Sequence, residues 1–152
     1  ACLIGVSASA GAMAVGASQQ KVALMRRFGE AVGMAFQIQD DILDYTRTAQ
    51  TGKPANNDLR EGKITLPLLA VLDKVPAERR TELLGRLAWC HDDEESVEYL
   101  QRTVENEGGL TFAAEVMRSY IARAVEMLSE YEASDYRTAL ANLCAYIAER
   151  DR

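Results

Sequence analysis

Gln19 to Arg47 reads QQKVALMRRFGEAVGMAFQIQDDILDYTR, and this stretch decides the fold. Val22, Met25, Phe28, Val32, Phe36 and Leu43 recur at helical spacing along one side. No proline interrupts them, so the spacing predicts a single helix. At 1.5 Å per residue it runs about 40 Å, the scale of a central helix in a large bundle. Met34, Ile38, Ile42 and Tyr45 lie on other sides, so the helix is apolar around most of its circumference, as a buried helix is.

Outward from this helix the same period repeats. Ala1 to Val15 is rich in Ala, Gly, Ser and Val and ends at Gly16. It lacks the basic start of a signal peptide and is too short and glycine-broken to span a bilayer. Small residues at helical spacing let backbones approach closely, so it reads as a tightly packed internal helix, and the chain as beginning mid-protein. Thr48 to Lys63 is the long polar stretch, read as a functional loop. Thr65 is a plausible N-cap for a helix with Pro67 in its first turn and Leu68, Leu69 and Leu72 as its apolar face. Further helices are predicted at Ala77–Trp89, Asp93–Asn106 (closed by Gly108-Gly109), Thr111–Glu130 and from Asp135, with no β-pattern of useful length. The fold class is all-α, a large antiparallel helical bundle.

Composition narrows the function. The 152 residues include 48% hydrophobic and 26% charged, enough for a real core and against disorder. A net charge of −6 argues against a nucleic-acid surface, which needs a basic patch. Three scattered cysteines, Cys2, Cys90 and Cys144, and a single histidine, His91, exclude a structural zinc site and suit a reducing compartment. His91 and Trp89 read as helix-end residues, and the cysteines as small core or half-buried residues.

The chemistry sits at Phe36-Gln37-Ile38-Gln39-Asp40-Asp41-Ile42-Leu43-Asp44. At helical pitch, Gln37, Asp40, Asp41 and Asp44 fall within an arc of about 100°. On a helix apolar elsewhere, that strip is expected to point into the protein or a cavity. Carboxylates crowded in a partly dry site rise in pKa or find a cation, and hard oxygen ligands with room for water and phosphate suit Mg²⁺. The bland alternative is a solvated acidic face, as at Asp92-Asp93-Glu94-Glu95, where the acids open a helix and meet its dipole. Opposite charge follows in Gly52-Lys53-Pro54 and in Asp58-Leu59-Arg60-Glu61-Gly62-Lys63. Lysine meets phosphate as a flexible point charge. Asp58 with Glu61 also resembles a capping box. Acids for Mg²⁺ followed by two lysines suggest a diphosphate or triphosphate substrate.

Read together, Gly33, Phe36-Gln37, Asp40-Asp41-Ile42-Leu43-Asp44, Gly52-Lys53-Pro54, Asp58 and Gly62-Lys63-Ile64-Thr65-Leu66-Pro67-Leu68-Leu69 form an ordered set. Glu107-Gly108-Gly109 and the closing Ala139-Leu140, Leu143, Tyr146 and Arg150 continue it. The set resembles the C-terminal half of the trans-polyprenyl (isoprenyl) diphosphate synthases. The resemblance implies the isoprenoid-synthase bundle, with residues 1–152 as the C-terminal part of one domain. Asp40-Asp41-x-x-Asp44 matches that family's second aspartate-rich motif. Asp40 and Asp44 would hold Mg²⁺ with Asp41 in support, and Gln37, Lys53 and Lys63 would contact the allylic diphosphate.

The reaction so implied ionises the allylic diphosphate. The double bond of isopentenyl diphosphate then attacks the cation, and a proton is lost. The first aspartate-rich motif and the isopentenyl-diphosphate site have no counterpart in this sequence, so the chain alone is expected to be inactive. The Asp58–Lys63 string looks more like long-chain synthases, and the family implies a cytoplasmic homodimer. The competing readings are a non-catalytic helical subunit of a heteromeric synthase, a terpene cyclase, and a plain helical interaction protein. Retained Asp40, Asp44, Lys53 and Lys63 count against the first, and the Gly62–Pro67 string against the second.

Overall fold

A computed structural model of the chain describes residues 1–46 and 56–150. The described residues form eight helices and no strand: α1 (Cys2–Ala14), α2 (Gln19–Thr46), α3 (Asn57–Arg60), α4 (Leu66–Lys74), α5 (Ala77–Trp89), α6 (Glu94–Asn106), α7 (Gly109–Leu128) and α8 (Asp135–Glu149). The all-α expectation holds, including the single long helix through Gln19–Thr46. The polar stretch read as loop contains the one-turn helix α3. The seventh helix starts two residues earlier than its apolar pattern suggested.

The helices belong to two compact units. One combines Ala1–Gln39 with the chain from Glu115 onward, and the other is built from Asp40–Ala114.

In the first unit, α1 and α2 meet backbone to backbone. A Cβ on Gly29 would sit 2.6 Å from the Ile4 carbonyl oxygen and 2.8 Å from the Gly5 Cα. Glycine is the residue that permits this approach. The close packing read from the small residues of α1 is therefore real, but the helix is not internal here. Only Gly5 and Ser9 of α1 are buried, while Leu3, Val6, Met13 and Val15 are exposed. The buried set of this unit includes Phe28, Val32, Ala35, Ile38, Met117, Ala124, Leu128, Cys144 and Ile147. The end of α8 is tied to α2: the Gln39 side-chain amide donates to the Arg150 carbonyl at 2.6 Å, and the Arg150 guanidinium lies 5.1 Å from the Phe36 ring centre.

The second unit closes around Tyr45, Leu59, Leu68, Val71, Leu72, Leu83, Leu87, Cys90, Val97, Leu100 and Val104. These positions come from α2, α3, α4, α5 and α6, so the core fixes the end of α2 against four short helices. Three of the four are started by a recognisable signal. Pro67 lies in the first turn of α4, Pro76 precedes α5, and Asp93 caps α6 by accepting the Ser96 N–H at 3.1 Å. Leu69, expected on the apolar face of α4, is instead 44% exposed, because Pro67, Leu68, Val71 and Leu72 already fill the buried side. Cys90 and Cys144 are buried and Cys2 exposed, all as free thiols.

Candidate functional site

The acidic strip lies near the C-terminal end of α2, and its burial is graded. Asp44 is 5% exposed, Asp40 and Asp41 are half-buried, and Gln37, one turn earlier, is exposed. The expectation of a uniformly inward strip is corrected accordingly. A helix apolar all round needs packing partners all round, and Met34 and Phe36 each keep 37% of their surface accessible.

Asp44 is buried because it is used. Its Oδ2 accepts the Asp58 backbone N–H at 2.9 Å, and its main-chain carbonyl accepts the Asn56 N–H at 2.9 Å. Helix ends leave carbonyls without intrahelical partners, and a helix start leaves N–H groups likewise. Asp44 thereby joins the last described turn of α2 to the start of α3. The capping box read from Asp58 and Glu61 is thereby corrected. Asn56 is the residue before α3, held left-handed at φ 60° with no side-chain cap bond, and the acid that receives the α3 N–H comes from α2. Asparagine tolerates this conformation better than most residues.

Lys63 follows directly. Gly62 takes φ 68°, which turns the chain after α3, and the Lys63 N–H returns to the Asp58 carbonyl at 2.8 Å. The Lys63 ammonium lies 2.5 Å from a Glu61 carboxylate oxygen and 3.2 Å from Asp58 Oδ1. Its hydrogen bonds to Glu61 and then Asp58 raise its pKa above the ordinary lysine value. The two-sided compensation was not legible from spacing. The lysine is exposed and charged, but any phosphate it takes must displace carboxylates that hold it here. Lys53, with Gly52 and Pro54, lies outside the described residues.

Beneath the strip, Tyr45 is 1% exposed. Burial pushes its phenol well above the ordinary value of 10, the Thr65 hydroxyl opposes that rise, and Asp44, Asp58 and Asp41 add to it. The influence of Thr65 falls short of a formed hydrogen bond, since the Tyr45 and Thr65 hydroxyls are both buried without a partner of proper geometry among the described residues. Thr65 does precede α4, as predicted, but makes no side-chain cap bond.

Two residues that sequence reasoning missed complete the surroundings. The Asn56 side-chain amide donates to Gln101 Oε1 at 2.8 Å, and Gln101 Nε2 donates to the Tyr45 carbonyl at 3.2 Å. Asn56 carried a weak signal in the Asn56-Asn57-Asp58 turn composition. Gln101 carried none, because it is 56 residues from the carbonyl it serves.

Among the described residues no group of three or more acidic, histidine or cysteine side chains is placed to hold a metal by itself. Mg²⁺ does not require such a cage. It is commonly bound by one or two carboxylates with water and substrate phosphates filling the octahedron. Half-buried Asp40 and Asp41 beside Asp44 fit that partial, all-oxygen role.

The sequence profile of the polyprenyl synthetase family matches residues 1–106. The chain is 34% identical over 99% of its length to a short chain isoprenyl diphosphate synthase of Methanothermobacter thermautotrophicus, covering 46% of that protein. It is also 34% identical over 99% of its length to heptaprenyl diphosphate synthase component 2 of Geobacillus stearothermophilus, again covering 46%. Among solved structures, a polyprenyl synthase from Caulobacter crescentus, crystallised with calcium and isoprenyl diphosphate, superposes with a TM-score of 0.86 at 31% identity. That likeness covers 99% of this chain and 46% of the other. The chain thus spans about half the length of the curated relatives it matches.

Proposed function

The chain belongs to the polyprenyl synthetase family, and from that premise we propose that it supplies one wall of the active site of a trans-prenyltransferase. That enzyme joins isopentenyl diphosphate to an allylic diphosphate. The observation that carries the reading is the Asp40–Asp41–Asp44 strip, joined through Asp44 to the segment that bears Lys63.

In this reading Asp40 and Asp44 hold Mg²⁺ with Asp41 in support, and Gln37, Lys53 and Lys63 contact the allylic diphosphate. The metal, when bound, supplies positive charge at the departing diphosphate. The chain's own residues do the rest of the local work. Asp44 fixes the distance between the strip and α3 by its bond to the Asp58 N–H. Lys63 exchanges Glu61 and Asp58 for phosphate oxygens, whose greater charge wins the competition. The allylic C–O bond breaks with its electron pair leaving on the diphosphate. The isopentenyl double bond attacks the cation, and a proton leaves the new adduct.

The Asp58–Lys63 string favours a long-chain product. Free cysteines and the absence, among the described residues, of a helix long and apolar enough to cross a membrane accord with a cytoplasmic enzyme. We take a homodimer as the assembly. The relative named as a component 2 favours, as a second reading, one subunit of a two-polypeptide synthase. Co-purification with an unlike subunit rather than a second copy separates the two.

Titrating the 152-residue chain with Mn²⁺ and inorganic diphosphate tests the site. Binding is expected, and Asp40→Asn is expected to weaken it by at least about tenfold. Binding that Asp40→Asn leaves unchanged would overturn the assignment. The chain alone, given Mg²⁺, an allylic primer and labelled isopentenyl diphosphate, is expected to show no transfer, because it brings only one carboxylate strip to the diphosphate. Measurable elongation would refute that division of labour.

A further inference from the structure

We infer that Gln101, on α6, is a positioning residue for the carboxylate strip, acting through the end of α2 and through Asn56. The inference rests on the reading of Asp44 as a diphosphate-metal residue in the preceding section.

The starting observation is how α2 ends. Two carbonyls of its last described turn are met from outside the helix. The Asp44 carbonyl accepts the Asn56 N–H at 2.9 Å, and the Tyr45 carbonyl accepts Gln101 Nε2 at 3.2 Å. The same Gln101 side chain accepts the Asn56 Nδ2 at 2.8 Å. One amide therefore bridges the end of α2 to the residue that opens α3.

The orientation of that amide is fixed chemically. Gln101 Nε2 also donates to Glu105 Oε1 at 3.1 Å, and both a carboxylate and a carbonyl can only accept. The nitrogen must face Glu105 and Tyr45, which leaves the oxygen for Asn56. Asn56 is 5% exposed and sits at φ 60°, a left-handed conformation open to asparagine, in which its side-chain bond to Gln101 holds it. Two residues later, the Asp58 N–H occupies Asp44 Oδ2, and the Asp58 carboxylate holds Lys63. If Asn56 leaves the left-handed region, Asp58 moves, and both the carboxylate of Asp44 and the ammonium of Lys63 lose a fixed neighbour. Gln101 thus sets the geometry of the strip through its neighbours, in the way outer-shell groups orient metal ligands.

Gln101→Met, nearly isosteric and without donor or acceptor, tests this in the 152-residue chain. Two quantities are read: hydrogen exchange at the Asp58 amide, and the Kd for Mn²⁺ with inorganic diphosphate. The Asp58 amide is expected to exchange at least about tenfold faster while the Leu100 and Val104 amides of α6 keep their protection. The Kd is expected to rise about tenfold. In an Asp44→Asn background the same substitution should have a smaller effect on Kd, limited to the part that passes through Asp58 to Lys63. Gln101→Glu, which sets a carboxylate oxygen against the Glu105 carboxylate and the Tyr45 carbonyl, is the second variant and should weaken binding at least as much as Gln101→Met.

An unchanged Asp58 exchange rate overturns the bridge. An unchanged Kd, or an equal loss in both backgrounds, overturns its role in positioning. If Asp44→Asn alone binds as tightly as the wild-type chain, the preceding reading of Asp44 fails and takes the positioning role with it. The exchange measurement then still decides whether the bridge exists.

Discussion

Replacing Asp44 by alanine and by asparagine separates what this residue does for the fold from what it does for a ligand. In the structure Asp44 is 5% exposed, and its Oδ2 takes the Asp58 N–H at 2.9 Å. A hydrogen bond to a charged acceptor contributes about 1.5–3 kcal/mol, and an N–H stranded by alanine is not repaid by water in a buried setting. Against that, removing one of several like charges on one helix face returns only a few tenths of a kcal/mol. Asp44→Ala is therefore expected to destabilise the unit around Tyr45 and Leu59 by about 1–3 kcal/mol. Asp44→Asn keeps a neutral acceptor for the same N–H, and the smaller worth of a neutral bond limits its loss to about 1 kcal/mol. Urea unfolding of both variants, with exchange at the Asp58 and Leu59 amides, gives the two stabilities. Mn²⁺–diphosphate titration gives the two affinities, which should fall together because both substitutions remove the charge. If Asp44→Ala is as stable as the wild-type chain, or Asp44→Asn loses as much as Asp44→Ala, the bond to Asp58 is not what buries this carboxylate and the reasoning fails.

Gly29→Ala should lower the urea midpoint, since its Cβ would lie 2.6 Å from the Ile4 carbonyl and 2.8 Å from the Gly5 Cα. Overpacking of about 1–3 kcal/mol there outweighs a helix-propensity gain of about 1 kcal/mol. Gly85→Ala, with nothing within 4 Å of its Cβ, should raise stability by about 0.5–1 kcal/mol, so midpoints moving in the same direction would contradict the packing account. Tyr45 titrates above its ordinary value of 10 in the folded chain. The folded state therefore keeps a proton that the unfolded state has released, and stability must fall as pH rises above about 10. Tyr45→Phe should flatten that alkaline slope in urea midpoints measured from about pH 9 to 11, and an unaltered slope would point to other groups. Lys63→Ala should weaken diphosphate binding roughly ten- to a hundredfold while leaving the unfolding midpoint where it was. The side chain is 55% exposed, and a drop in midpoint would mean that its pairs with Glu61 and Asp58 are structural.

The helices and the acidic face of α2 were legible in the sequence. Val22, Phe28, Val32 and Leu43 repeat at helical period without a proline, and a period is a local property that no distant contact needs to supply. Pro67 in the first turn of α4 and Asp93 capping α6 were legible for the same reason, since caps act over three or four residues. The Asp40–Asp44 spacing put the carboxylates on one face by helix geometry alone, and the ordered motifs around it sufficed to point to the family.

Tertiary structure decided which of those carboxylates is buried and what each one touches. Asp40 and Asp44 are one turn apart and chemically identical. Asp44 is sealed because the chain returns to it at Asn56 and Asp58. Leu69 reads like Leu68, but only Leu68 faces the core, because the buried side of α4 is set by α2, α3, α5 and α6 together. Lys63 reads as a waiting cation, yet Gly62 turns it onto Glu61 and Asp58. Gln101 gave no sign of its link to the strip, because the two partners that make it are 45 and 56 residues away. Spacing fixes what a helix face carries. Which groups that face meets depends on long-range closure, and closure is set by the packing of the whole unit rather than by any window of sequence.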